Sequence, residues 1–213
     1  MTDSRTTQAR GKRRRLIESA GELLHRQGVA HTTLAQVAEA AHVPPGNVYY
    51  YFKTKDELVQ AVVDYRAAQV HQVFSTFDAM EATPSARLRS FLHNWSDIPD
   101  LIASQGCPIG GLCAELGKQD GGLETKGTEL MQGILGWLTD QFRLAGRADA
   151  RECAIALFSG VQGGALIANT LRDPDVFAAH LRYLEQWLDR LIETTDPPDL
   201  VAPPNPPAEP AGT

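Results

Sequence analysis

The sequence predicts an all-α protein of about nine helices, because apolar residues recur at helical spacing from residue 12 onward. Glycines and prolines separate the periodic segments and mark where one helix ends and the next begins. The 213 residues are enough for a substantial core, with room for a small head and a larger body.

The head is predicted to contain three helices. The first spans about residues 12–27 and ends at Gly28, a residue suited to a helix C-terminus. Thr32 or Thr33 can cap the second helix. Its apolar positions share one face: Leu34, Val37, Ala38 and Ala41. Pro45 suits the first position of the third helix, since its missing N–H would be unpaired there anyway.

The third helix, about Pro45 to Tyr51, can turn Val48 and Phe52 inward because they lie one turn apart. Small and polar residues then fall on or near the opposite surface: Pro45, Gly46, Asn47, Tyr49 and Tyr50. Thr54 signals the start of the next helix, and Lys55 beside it can reach a phosphate. Two short helices around a tight turn are typical of a DNA-reading unit.

Residues 44–58 read PPGNVYYYFKTKDEL. This segment closely resembles the recognition helix of the TetR family of regulators, whose signature runs small-x-Gly-x-aliphatic-Tyr-x-Tyr/His-Phe-x-x-Lys-Glu/Asp-x-Leu. Two positions differ, since the family often has Ser where this chain has Pro44 and Lys where it has Pro45. The resemblance implies a helix-turn-helix head with these DNA-binding residues: Thr33, Pro45, Gly46, Asn47, Tyr49, Tyr50, Tyr51 and Lys55.

Each residue type has a role that its chemistry suits. Gly46 allows close approach to base edges, and Asn47 can hydrogen-bond a base edge or a phosphate. Tyr49 and Tyr50 can donate hydroxyls to phosphates, with one ring free for a thymine methyl. The resemblance places Thr33, Tyr51 and Lys55 at the DNA backbone, although Tyr51 can instead pack beneath the helix.

The net charge of −6 is divided unequally along the chain. Residues 1–60 carry nine Lys and Arg against six Asp and Glu, a net +3, while the remainder carries eleven against twenty, a net −9. The basic end therefore coincides with the predicted head. Residues 1–11 are expected to form a basic flexible arm that follows phosphates or enters a minor groove, or alternatively a solvated tail.

The body is predicted over residues 55–194. Its helices fall at about 55–80, 84–104, 108 onward, 124–145, 149–171 and 175–194. Pro99 should kink or interrupt the second of these. Residues 195–213 are rich in proline and read as a disordered tail, with a proline-rich partner motif as the alternative.

The last two predicted helices carry apolar stripes that suit either a homodimer interface or packing within the chain. The resemblance favours the interface, because TetR-like proteins pair these helices in a four-helix bundle. The interface residues are then expected to be Phe158, Val161, Ala165, Leu181, Leu184 and Leu188. Gly160, Gly163 and Gly164 would allow close approach to another helix.

The resemblance also implies a small-molecule effector bound inside the body, which shifts the fourth helix and releases DNA. Candidate lining residues are Phe74, Phe91, Trp95, Met131, Trp137 and Phe158. Cys107 precedes Pro108, the expected first residue of a helix, where a thiol pKa is lowered. It resembles the electrophile-sensing cysteines of some TetR-like repressors; the alternative is a small buried hydrophobe.

Other functions are less well supported. The three cysteines form no CxxC pair, the six histidines have no metal-ligand spacing, and no cofactor or metal is expected. No catalytic constellation favours an all-α enzyme. A helical adaptor with a vestigial DNA-binding head is the main alternative to a dimeric repressor that binds a palindromic operator. An activator is the other alternative. With no secretory signal and no apolar run long enough to span a bilayer, we expect a cytoplasmic protein.

Overall fold

The computed structural model describes residues 2–118 and 122–193, with side chains from residue 10 onward. Within these ranges the backbone forms ten helices and no strand, which confirms the all-α prediction. The helices are α1 Thr2–Gln27, α2 Leu34–Ala40, α3 Pro45–Tyr51, α4 Lys55–Met80, α5 Pro84–His93, α6 Pro99–Gln105, α7 Gly110–Leu116, α8 Leu123–Leu144, α9 Ala150–Leu171 and α10 Pro174–Glu193.

Three boundaries differ from the prediction. Pro99 interrupts the expected fifth helix completely, because proline lacks an N–H and its ring clashes with the preceding turn; α5 and α6 result. Helix α7 begins at Gly110 rather than at Pro108. Helix α1 begins at Thr2, so the arm predicted to be flexible over residues 1–11 has helical backbone from Thr2 onward. That stretch contains no proline to stop the helix.

The head forms around side chains from α1, α2 and α3. Leu16, Val37 and Val48 are fully buried, and Phe52 closes the cluster just after α3. Burying one such side chain contributes about 1.5–3 kcal/mol, which is enough to hold two seven-residue helices that would be marginal alone.

Helix α4 links the head to the body. Its N-cap is Thr54, whose hydroxyl accepts the N–H of Glu57 at 3.1 Å, as the sequence predicts. Helix α4 packs against α1 in the head and against α8 and α5 in the body. Helix α4 therefore contacts the head and the body.

Helices α9 and α10 pack closely on each other within the chain. A Cβ at Gly160 would lie 2.7 Å from Leu184 Cδ2, and one at Gly164 would lie 2.5 Å from His180 Cδ2. The predicted interface residues Phe158, Val161, Ala165, Leu181, Leu184 and Leu188 are all buried in this contact and its surroundings. These two stripes therefore pack within the chain itself, the alternative that periodicity left open.

Helix α9 is also long and apolar enough, by length and composition alone, to cross a membrane, with a mean hydropathy of 1.4. From the sequence we expect no apolar run of this length. However, Ala154, Leu157, Val161 and Ala168 are fully buried against neighbouring helices. Because α9 lies between α8 and α10, it packs as a core helix.

Candidate functional site

The outer surface of α3 carries the residues that the sequence assigns to DNA contact. Pro45 and Gly46 are exposed at its start, and Tyr49 and Tyr50 are 57% and 75% exposed along its length. Asn47 is half-buried at the edge of this surface. A Cβ at Gly46 would meet no atom within 4 Å, so the protein itself leaves this position open. The surface presents hydroxyls and an open backbone to a partner.

Three other candidates take part in local structure. The Thr33 hydroxyl caps α2 by accepting the N–H of Gln36 at 3.3 Å, and the Gln36 side chain accepts the N–H of Thr33 in return. Tyr51 is half-buried against the core and meets Tyr50 edge-on at 5.0 Å. Lys55 Nζ lies 3.4 Å from the carbonyl of Ala30.

Turn geometry fixes how α3 is presented. His42 has a φ of 53°, a left-handed conformation that ends α2 and redirects the chain. Pro44 occupies the N-cap position of α3 and makes no side-chain hydrogen bond, since the proline ring carries no polar atom beyond the backbone. The carbonyl of Pro44 accepts the N–H of Asn47 at 2.8 Å. The first turn of α3 is therefore held by backbone alone.

Two basic residues beside α3 were not among the sequence candidates. Lys53 is exposed one turn after Tyr49, and its Nζ donates to the Tyr49 carbonyl at 2.7 Å. The Arg13 guanidinium lies 5.1 Å from the centre of the Phe52 ring, which brings the basic part of α1 next to α3. The spacing of four between Tyr49 and Lys53 could have indicated the first; nothing in the sequence indicates the Arg13 contact.

Head and body are also joined away from α4. The Glu115 carboxylate on α7 accepts the backbone N–H groups of Val29 and Ala30 at 2.8 and 2.9 Å. His25 Nε2 donates to the carbonyl of Gly106 at 2.8 Å. Burial lowers the pKa of His25, so its neutral form is favoured, and nearby Arg66 lowers it further, against the opposing effect of the Gly106 bond.

Four of the six predicted effector-contacting residues line one cavity of about 170 Å³ between α4, α5, α8 and α9. They are Phe74, Phe91, Trp95 and Phe158. A second cavity of about 260 Å³ shares the wall formed by Val70, Phe74 and Ile134, and it includes Trp137. Trp137 stacks on Phe74 with ring centres 4.2 Å apart.

Met131 lies apart from that aromatic group. It lines a cavity of about 430 Å³ between head and body, whose walls include Leu24, His25, Gly106 and Cys107. Five of the six predicted residues thus line two neighbouring cavities, and Met131 lines the cavity between head and body.

Comparisons with known proteins agree with this geometry. Residues 16–62 match the model of the bacterial regulatory proteins of the tetR family. The chain is 30% identical over 195 residues to the HTH-type transcriptional regulator TtgR of Pseudomonas putida, covering 85% of this chain and 90% of that protein. The chain belongs to the TetR family. It is therefore a DNA-binding helix-turn-helix transcriptional regulator.

Other TetR-family relatives give the same picture. The probable HTH-type transcriptional regulator ArpR of Pseudomonas putida is 29% identical over 195 residues, which cover 85% of this chain and 90% of ArpR. A TetR-family regulator from Agrobacterium tumefaciens, solved by crystallography, superposes with a TM-score of 0.75 at 19% identity, over 85% of this chain and 98% of that one. At that identity the likeness shows the fold alone.

The three cysteines of this TetR-family chain differ in environment. Burial raises the pKa of Cys113 and of Cys153 to about 11 each. Cys107 is 7% exposed, and its Sγ accepts the N–H of Gly110 at 3.2 Å. Because α7 starts at Gly110 and its N-cap is Ile109, Cys107 lies two residues before the N-cap, near it rather than on it.

An apolar face remains open on α9 and α10. Its large exposed side chains are Ile155, Leu166, Ile167, Leu171 and Tyr183. Gly163 on the same face has no atom within 4 Å of the position of a Cβ. The buried face of α9 and this exposed face are both apolar, so periodicity alone could not tell which one the chain covers itself.

Proposed function

We propose that this TetR-family regulator is a cytoplasmic repressor that binds a palindromic operator as a homodimer and is released by a small-molecule effector. We assign DNA binding to residues 12–54 and effector binding and dimerisation to residues 55–194. The observation that carries this proposal is the exposed surface of α3, where Gly46, Tyr49 and Tyr50 face outward from a helix-turn-helix.

The DNA contacts divide into two kinds. Tyr49, Tyr50, Lys55 and the capping Thr33 fix the register of α3 by contacting phosphates, and Lys53 adds a cation to that set. Asn47 reads a base edge. We expect Asn47→Ala to change sequence preference, whereas Tyr49→Phe weakens binding to all sites alike. A panel of variant operators distinguishes them, and equal behaviour of the two variants would contradict the assignment.

The exposed face of α9 and α10 supports the homodimer. Ile155, Leu166, Ile167 and Leu171 lie along one side of a single helix, and Tyr183 extends the patch to α10. Contiguous exposed apolar residues of this kind mark an interface in soluble proteins. A two-fold axis at this face would place two copies of α3 on successive half-sites.

The position of the aromatic cavity supports control by an effector. Arg66 and Phe74 of α4 line it, and Arg66 also lies against α1, with its Nη2 3.6 Å from where a Cβ of Gly21 would be. A molecule that displaces α4 therefore acts on α1. Since α3 packs on the head that α1 supports, the distance between the two recognition helices changes and operator affinity falls.

A thiol-directed effector is a second candidate because Cys107 lines the junction cavity beside Gly106, the hydrogen-bond partner of His25. A group attached covalently to Cys107 would occupy space in the cavity between head and body. If Cys107→Ser releases DNA on treatment with an electrophile just as the parent does, Cys107 is not the switch.

Footprinting on DNA upstream of the chain's own gene, combined with a promoter reporter, tests the proposal. We expect protection of two half-sites related by a two-fold axis and lower reporter output when the protein is present. Increased reporter output in the presence of the protein would show that it is an activator. Absence of selective protection on several upstream fragments would favour the adaptor alternative.

A further inference from the structure

Trp95 carries a buried hydrogen-bond donor that has no acceptor. The side chain is 5% exposed, and its Nε1–H meets no partner within the part of the chain that the structure describes. Trp137 differs, because its Nε1 donates to Asp78 Oδ2 at 3.3 Å. Buried polar groups are paired in the great majority of cases, and a buried tryptophan N–H usually finds an acceptor. The indole N–H of Trp95 therefore lacks a hydrogen-bond acceptor.

The same indole lines the aromatic cavity of about 170 Å³. Phe91 stands between two other rings there, with centre-to-centre distances of 6.4 Å to Phe74 and 6.3 Å to Phe158. Rings at these separations leave flat faces and edges that suit an aromatic guest. The cavity thus offers apolar contact over most of its surface, and one of its residues, Trp95, carries a buried donor without an acceptor.

The charge of the cavity lining further restricts the class of compound that can bind. Among the described residues that form this wall, Arg66 is charged and no carboxylate is present. A cationic guest would find no counter-ion, and it would approach Arg66 at a cost in repulsion. A neutral guest with an acceptor avoids both costs, and unlike an anion it loses no charge hydration in a cavity whose wall is mostly apolar.

We propose that the effector cavity binds a neutral, flat aryl carbonyl compound whose oxygen accepts a hydrogen bond from Trp95 Nε1. This inference rests on the proposed effector control and names the class of effector. The aromatic ring of the guest lies among Phe74, Phe91 and Phe158. The Trp95 N–H is covered by neighbouring protein atoms, so the indole turns slightly to reach the carbonyl. Trp95 is then the residue that distinguishes an aryl ketone from a hydrocarbon of the same shape.

Acetophenone and α-methylstyrene form a matched pair of probes, since they differ mainly by C=O in place of C=CH₂. Calorimetry on the full chain should give a dissociation constant about tenfold lower for acetophenone, because that compound alone pairs the buried donor. In Trp95→Phe the ratio of the two constants should fall close to one. Trp187→Phe on α10 is the control, and the ratio should stay as in the parent.

Nuclear magnetic resonance gives an independent readout. It needs Trp95→Phe only to assign the Trp95 indole signal. The chain has three tryptophans, so the labelled protein shows three indole N–H signals, and Trp95→Phe removes the one to follow. Acetophenone should move that signal downfield, and α-methylstyrene should not. The two remaining indole signals report whether Trp95→Phe is folded.

Equal affinities of the parent for the two probes would overturn the proposal, as would an unshifted Trp95 signal at saturation or binding of neither probe. These outcomes leave operator binding untouched, so the same protein sample is assayed on operator DNA without any probe. If the protein binds operator DNA selectively but shows no preference for the ketone, the aryl carbonyl proposal is rejected and the proposed regulator function is retained.

Discussion

Glu115 accepts the backbone N–H of Val29 across a distance of 2.8 Å, and in doing so it ties α7 of the body to the turn that follows α1. Its other oxygen takes the N–H of Ala30 at 2.9 Å. The turn needs glycine at position 28, where φ is 80° and a Cβ would lie 3.0 Å from the Glu115 carboxylate. One carboxylate thus pairs two backbone donors just beyond the end of a helix.

We expect Glu115→Gln to loosen this connection, because an amide oxygen can replace one acceptor while the amide nitrogen cannot accept the second N–H. An unpaired buried donor costs about 1–3 kcal/mol, and the value here falls at the lower end since Glu115 is partly exposed. Hydrogen exchange at the Val29 and Ala30 amides should accelerate. Glu124→Gln is the control, because Glu124 of α8 accepts the backbone N–H of Gly122, the N-cap of its own helix. This variant should leave hydrogen exchange at the Val29 and Ala30 amides unchanged. Unchanged exchange in Glu115→Gln would show that the contact does not hold the turn.

His25 should make the protein less stable in acid. Burial lowers its pKa in the folded state below the ordinary value of 6.5, so the unfolded chain binds the proton more readily. The resulting stability is fully present above pH 6.5 and is lost as the pH falls through the lowered folded value. Thermal melts between pH 7.5 and 5 should therefore show a smaller decline for His25→Gln than for the parent. His31→Gln at an exposed position serves as control, and an identical decline in the parent and His25→Gln would refute the effect.

Gly46→Ala should make the protein more stable and at the same time weaken its binding to DNA. Replacing a helical glycine by alanine stabilises by about 0.5–1 kcal/mol, and no atom of the protein opposes the added methyl at this position. The methyl would nevertheless stand between α3 and the bases, so operator affinity should fall as the melting temperature rises. Gly136→Ala on α8, also open, should raise stability without changing affinity. Full operator affinity in Gly46→Ala would mean that α3 does not approach DNA through this residue.

Leu166→Asp should separate the two copies of the proposed dimer. Leu166 is 68% exposed at the centre of the open face of α9, and a carboxylate there would have to lose its water in the interface. Sedimentation should show a monomer that is still folded. Leu144→Asp changes an equally exposed leucine, at 66%, near the end of α8, and it should remain dimeric. A dimeric Leu166→Asp would place the interface elsewhere.

Local sequence signals predicted the head well. Thr33, Pro45 and Thr54 act through bonds to residues three or fewer positions away or through a fixed backbone angle, so their roles depend on their neighbours in the sequence. The exposure of Tyr49 and Tyr50 likewise follows from one helical turn.

The body was harder to predict because its contacts join distant residues. The Glu115 contact spans 86 positions, and no local pattern indicates it. Helix α9 is apolar on both sides, so Val161 and Leu166 could not be assigned to core and surface until the position of α10 was known. The start of α7 was misplaced because Pro108 suits a helix start, yet the helix begins two residues later and leaves Cys107 near its N-cap.

Fluorescence anisotropy of the purified full chain on labelled DNA from upstream of its own gene tests the central claim most directly. The titration is repeated with scrambled competitor and across a salt series. We expect selective binding whose affinity falls steeply as salt rises, since Lys53, Lys55 and the basic residues of α1 displace counterions from phosphates. Binding that does not distinguish the upstream DNA from the scrambled competitor, by a protein that is dimeric, would contradict an operator-specific regulator.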